Sequence, residues 1–170
     1  MAGMNGPKQG VTACLWFDNN AEEAANFYTS IFKNSRITGI ARYGEAGSEA
    51  TGRPKGTAMT VAFELQGQEF LALNGGPAFT FSPAISFIVN CEAQNEVDAL
   101  WEKLSEGGAP QQCGWVTDKY GVSWQIVPSV LGAMMQDKDP AKTNRVMTAL
   151  LQMKKIDIGA LMAAYGSRQP

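Results

Sequence analysis

One pattern constrains this chain more than any other: a five-element order is spelled out twice. Residues 11–17, VTACLWF, are apolar, branched and aromatic and end in the turn-forming DNN, so they read as a strand. AEEAANFYTSIF follows as a helix, with Ala24, Phe27, Tyr28 and Ile31 on one stripe. Asn19 or Asn20 is placed to cap it, and Glu22 and Glu23 suit its first turn. Strands are then expected over 36–43, 57–65 and 68–73, the last two joined by the two-residue turn Gln66-Gly67. Residues 44–56, GEAGSEATGRPKG, are expected to be a mobile, Gly-rich loop.

After NGGPAFTFS (74–82) the order begins again. AISFIV (84–89) reads as a strand, and 92–104 as a helix burying Val97, Leu100, Trp101 and Leu104. SEGG stops that helix, and residues 111–117 and 122–127 form a closing hairpin. Such an internal repeat implies two βαβββ modules, over 10–76 and 82–128, behind a floppy lead-in of residues 1–9. Residues 129–170 read as a helical extension of the same domain. In it Asp139-Pro140 and Asp157 start helices, Val146, Met147, Leu150 and Leu151 form an apolar face, and Lys154-Lys155 suits a helix end. That face either packs on its own domain or makes a dimer contact.

The bulk numbers exclude several function classes. The net charge is −2 and no basic run is present, which argues against nucleic acid and anionic membrane surfaces as partners. No apolar run approaches the ~20 residues of a membrane helix. Three scattered cysteines without a CxxC fit free thiols in a reducing cytoplasm. There is no histidine at all, which removes every histidine-dependent mechanism and the commonest transition-metal ligand.

Four blocks carry a resemblance. CLWFDNNAEEAANFYTSIF, FELQGQEFLALNGG, SPAISFIVNCEAQNEVDALWEKLSEGG and CGWVTDKYGVSWQIVP, in that order, resemble the PhnB-like family of the vicinal oxygen chelate superfamily. That superfamily includes glyoxalase I, extradiol dioxygenases and bleomycin-resistance proteins, and the PhnB-like branch is often labelled 3-demethylubiquinone-9 3-methyltransferase. The resemblance covers roughly residues 8–165. It implies an α+β fold in which each module curls a mixed sheet around half a cleft; the apolar helical extension adds the expectation of a homodimer.

The resemblance also implies positions for metal ligands. They fall near Thr12 on the first strand, near Ala84 in module two, on Gln125 in its last strand, and near Leu71, with Asn74 a little further on, in module one. A Lewis-acid metal needs several converging donors, and neutral oxygens hold transition metals poorly. The cleft is therefore expected to be metal-free and to need no cofactor. Glu64, Glu69 or Asp118 could join a Mg²⁺ or Mn²⁺ site, though Asp118 in TDKYG reads more simply as a turn residue. No Gly-rich turn leads from a strand into a helix, so the usual S-adenosylmethionine cradle is missing. The cysteines Cys14, Cys91 and Cys113 read best as small buried hydrophobes.

What remains is binding. Strand alternation puts Leu15 and Phe17 under the first helix and Thr12, Cys14 and Trp16 on the other side. By the same repeat, Phe87 and Val89 face their helix while Ser86 and Ile88 face the cleft. Trp124 and Gln125 must point oppositely, and the ligand position favours Gln125 for the cleft and Trp124 for the core. Trp115 is assigned the parity of Cys113 and Thr117. The candidate ligand-binding residues are thus Thr12, Cys14, Trp16, Asn74, Ser86, Trp115 and Gln125, with no catalytic residue assigned. The expected function is capture of a small organic molecule. The alternatives are an enzyme (isomerase, lyase or transferase, including the methyltransferase of the family's label, on a small organic or quinone-like substrate) and a purely oligomeric role for the Met-rich extension.

Overall fold

The computed structural model describes residues 10–167 and divides between Thr80 and Phe81 into two compact units. The first unit runs β1 (Ala13–Phe17), α1 (Ala21–Ile31), β2 (Ser35–Arg42), α2 (Glu45–Thr51), β3 (Ala58–Leu65), β4 (Gln68–Asn74). Its sheet has the order β1-β4-β3-β2, with β1 parallel to β4 and the rest antiparallel. Leu15, Phe17, Val61, Phe63, Phe70 and Ala72 are buried on the face that meets Ala24, Ala25 and Tyr28 of α1. Tyr28, Phe63 and Phe70 form a stack there, with centroids 6.2 and 5.3 Å apart. Gln66 and Gly67 both take positive φ, 50° and 88°, as a two-residue turn that matches strand twist requires.

The segment expected to be a mobile loop contains a helix, α2. Gly44 precedes it, and Gly52 ends it with φ 70° while donating its N–H to Ser48 O. Ala46, Glu45, Glu49 and Ala50 are good helix formers, so the flanking glycines are caps rather than signs of disorder.

The second unit repeats the plan: β5 (Phe87–Cys91), α3 (Gln94–Ser105), β6 (Ala109–Pro110), β7 (Trp115–Thr117), β8 (Ser123–Pro128). The order is β5-β8-β7-β6, again with the outer pair β5–β8 parallel. The strand expected over 84–89 starts only at Phe87, whose partner is Trp124. Residues 82–85 instead form a turn in which Ile85 N–H reaches Ser82 O. The strand expected over 111–117 is also interrupted. Cys113 and Gly114 take φ of 59° and 82°, which breaks the ladder and ends the parity linking Cys113 to Trp115.

Three helices complete this unit: α4 (Ser129–Met135), α5 (Pro140–Leu150) and α6 (Ile158–Gly166). Asp139 and Asp157 cap α5 and α6 through their carboxylates, as the sequence implies. Leu131, Met134, Val146, Leu150, Ile156 and Leu161 form a small core of their own, against which Cys113 and Val127 pack. Val146 and Leu150 are buried, whereas Met147 and Leu151 of the expected apolar face are exposed. Lys154 and Lys155 lie beyond the end of α5, not in its last turn. No helix among the described residues is long and apolar enough to cross a membrane.

Candidate functional site

Each sheet has one face under its own helix and one that its helix leaves open, and the alternation assigns side chains to them. In the first unit Cys14 and Trp16 lie on the open face, with cross-strand partners Leu71 and Leu73, and Thr12 stands one residue before the strand. Trp16 is held rather than free. Its Nε1 donates to Gly76 O at 2.9 Å, and Phe79 meets its ring edge-on at 5.0 Å. A Cβ on Gly75 would stand 2.2 Å from the Trp16 ring, so the GG pair exists to let the indole lie flat on the backbone.

Asn74 is turned the other way. Its Oδ1 accepts the Ala21 N–H at 2.8 Å and its Nδ2 donates to Ala58 O at 3.0 Å, while Tyr43 donates to its carbonyl. The cap of α1, expected from Asn19 or Asn20, comes instead from this residue far along the chain; Asn20 makes no side-chain cap. Asn74 borders a cavity of about 480 Å³ with Glu22, Arg42 and Lys55. Arg42 and Glu22 pair at 2.8 Å, and that guanidinium holds the Glu22 carboxyl below its ordinary range.

In the second unit the structure brings three candidates together. Gln125 Nε2 donates to Ser86 Oγ at 2.9 Å, and Trp115 is the cross-strand partner of Gln125. Ile88 pairs with Gln125 from the other side and is 59% exposed. Trp124 points into the core, as the ligand-position argument requires. It is 2% exposed, packs on Phe87 at 5.4 Å, and its Nε1 donates to Asp118 Oδ2 at 2.8 Å. Asp118 also accepts the Tyr120 and Val122 N–H groups, so it is a buried turn residue and not a metal donor in waiting.

β1 and β5 are both five residues long with the same burial alternation, and Leu71 and Gln125 each follow a left-handed turn glycine by four residues, so the pair Ile88↔Gln125 corresponds to Cys14↔Leu71. The donor set therefore does not fit a catalytic metal. The positions offer hydroxyls, an amide already bonded to Ser86, an alanine in a turn and a leucine. Among the described residues no three His, Cys, Asp or Glu converge on a common point. Glu64 and Glu69 face each other across β3 and β4, but Glu64 is paired with Arg36 at 3.1 Å. The cysteines differ sharply: burial, reinforced by Glu96 and Glu92, pushes the Cys91 thiol up to about 11, whereas Cys14, expected to be a small buried hydrophobe, is exposed because the open face leaves it uncovered, and Cys113 is half-buried.

Lys154 was not among the sequence candidates. It lies beside Trp115 and Cys113 because a segment some forty residues downstream folds back onto the hairpin, and no local sequence signal marks that contact.

Comparison with known proteins agrees with this architecture. The family model described as 3-demethylubiquinone-9 3-methyltransferase matches residues 9–127. A PhnB protein of Bacillus cereus, provisionally described by the same activity, is 41% identical, with all of its chain and 71% of this one aligned at a TM-score of 0.64. A Pseudomonas aeruginosa protein is 21% identical over 69% of this chain and 96% of its own, at a TM-score of 0.57, and shares the fold. A glyoxalase/bleomycin resistance protein/dioxygenase domain from Frankia matches at 18% identity over 72% of this chain and 93% of its own, with a TM-score of 0.40. Comparison with functionally curated proteins found no match. With its paired βαβββ units and its match over most of the chain, this protein belongs to the family described as 3-demethylubiquinone-9 3-methyltransferase.

Proposed function

We propose that this chain binds a small organic molecule on the open face of its sheet, without a transition metal, and works as a homodimer in the cytoplasm. The observation that carries the reading is the cluster of Trp115, Gln125 and Ser86. It sets a flat aromatic surface beside an oriented amide on a face that α3 does not cover. Few, well-placed polar groups among apolar ones are the ordinary composition of an organic-ligand site. The hydroxyls and amide there can orient a ligand but supply no general base, and no histidine exists to do so.

Native mass spectrometry of the purified protein, paired with metal analysis, tests this. The expected result is a dimer that carries no stoichiometric metal and retains an organic mass, with that mass lost in Gln125→Leu. Stoichiometric divalent metal would overturn the reading. Methyl transfer is the second reading, favoured by the description shared by the family and the Bacillus cereus relative. Titration with S-adenosylmethionine decides it: measurable binding would favour transfer over capture.

A further inference from the structure

We infer that the C-terminal extension makes the shoulder of the second unit's hairpin a site for small planar organic anions, an inference that rests on the small-molecule reading above. Trp115 is its stacking surface and Lys154 its charge. The family match ends at residue 127, so Lys154 lies outside the matched residues.

The shoulder is a cavity of about 630 Å³, a size suited to a small organic molecule. Trp115 stands beside Gln125 on the open face and also lines this cavity. Pro83 and Pro110 add rigid apolar walls, Gln112 adds an amide, and Cys113 borders the cavity with its thiol meeting Leu150 O at 3.6 Å. The charges are one-sided: Lys154 lines the cavity and no carboxylate does. Its neighbour Lys155 is taken by Asp98 at 2.6 Å, whereas Lys154 has no carboxylate partner among the described residues.

Lys154 is fixed there by main-chain bonds. Cys113 and Gly114, both in the left-handed region, donate their N–H groups to Met153 O and Lys154 O, each at 2.8 Å. Gly114 is needed because a Cβ would lie 2.8 Å from Ile156 Cδ1 and 2.6 Å from Ile126 O. Ile156 is fully buried, and the Gln94 amide clamps both sides of it, donating to Ile156 O and accepting from Ile158 N–H. The extension is thus stitched to the hairpin at Met153 and Lys154 and to the start of α3 at Ile156 and Ile158. An indole and a lysine lining one cavity favour a flat ring bearing a carboxylate over the same ring without one.

Calorimetry with two probes of one ring system tests this: 1-naphthoate and the neutral 1-naphthylmethanol, titrated into the full chain. Naphthoate is expected to bind about tenfold more tightly at low salt, with the gap narrowing as salt screens the charge. In Lys154→Ala the two probes should bind alike, and in Lys154→Glu the preference should reverse. Iodoacetamide labelling gives a second readout that needs no loss of function. Naphthoate should protect Cys113 while the exposed Cys14, in the other unit, labels at its ligand-free rate. Equal affinity of both probes in the unaltered protein would overturn the anion assignment and leave the small-molecule reading standing. Protection of Cys14 in place of Cys113, or binding of neither probe, would remove the shoulder as the site, and the small-molecule reading would then stand or fall on co-purified mass alone.

Discussion

The side-chain oxygen of Asn74, the last residue of β4, accepts the backbone N–H of Ala21, the first residue of α1, at 2.8 Å. One buried amide thereby ties the end of the first unit's sheet to the start of its helix, and its other end is satisfied by Ala58 O. Asn74→Ala removes a helix cap and leaves buried backbone groups unpaired, which should cost about 2–3 kcal/mol. Urea unfolding measures this, and an unchanged midpoint would show that Asn74 is not needed for the fold.

Two glycines should respond in opposite directions. Gly114→Ala forces a side chain into a left-handed conformation and against Ile126 O, so a loss of about 2 kcal/mol or more is expected. Gly132 lies within α4, and a Cβ there meets nothing within 4 Å. Gly132→Ala should stabilise the protein by about 0.5–1 kcal/mol. Thermal melts of both variants check the pair of signs.

The anchor of the extension should show in pH dependence. Tyr165 donates to Asp137, Asp139 N–H bonds the same carboxylate, and Lys142 pairs with it at 3.4 Å. These interactions hold Asp137 below its ordinary 3.8. A depressed carboxylate contributes stability that is full above its unfolded value and is lost as pH falls through the folded one. Asp137→Asn should therefore melt below the unaltered protein at pH 6, and the difference should close on acidification below about pH 4. A difference independent of pH would mean that the contribution is not ionic. Raised values for Lys142 and Tyr165 place the opposite loss at the alkaline end, as pH rises past their ordinary 10.5 and 10.0.

The thiols should react in a set order. Cys91 is buried and raised to about 11 by burial and two glutamates, so it holds almost no thiolate at pH 8. Cys14 is exposed. Native-state alkylation at pH 8 should label Cys14 and leave Cys91 unlabelled until denaturant is added. Peptide mapping that found Cys91 modified in the folded protein would contradict its placement under α3.

The repeat, the hairpin turn at Gln66-Gly67 and the opposed faces of Trp124 and Gln125 were legible in the sequence. Each follows from short-range rules: period-two alternation, glycine at positive φ, caps at helix starts. The helix α2 was misread because its two glycine caps look like a loop. Ser86 and Gln125 were each named from the sequence, but their bond joins residues 39 apart.

The sequence by itself determined two βαβββ units, the face each strand residue takes, and a chain without histidine chemistry. Only the tertiary structure decided that Asn74 caps a helix, and that Lys154 and Trp115 line one cavity. The physical reason is the same in both cases. A side chain's periodicity is set by its neighbours in sequence, but its partner is set by which distant backbone closes on it, as Met153 and Lys154 close on Cys113 and Gly114.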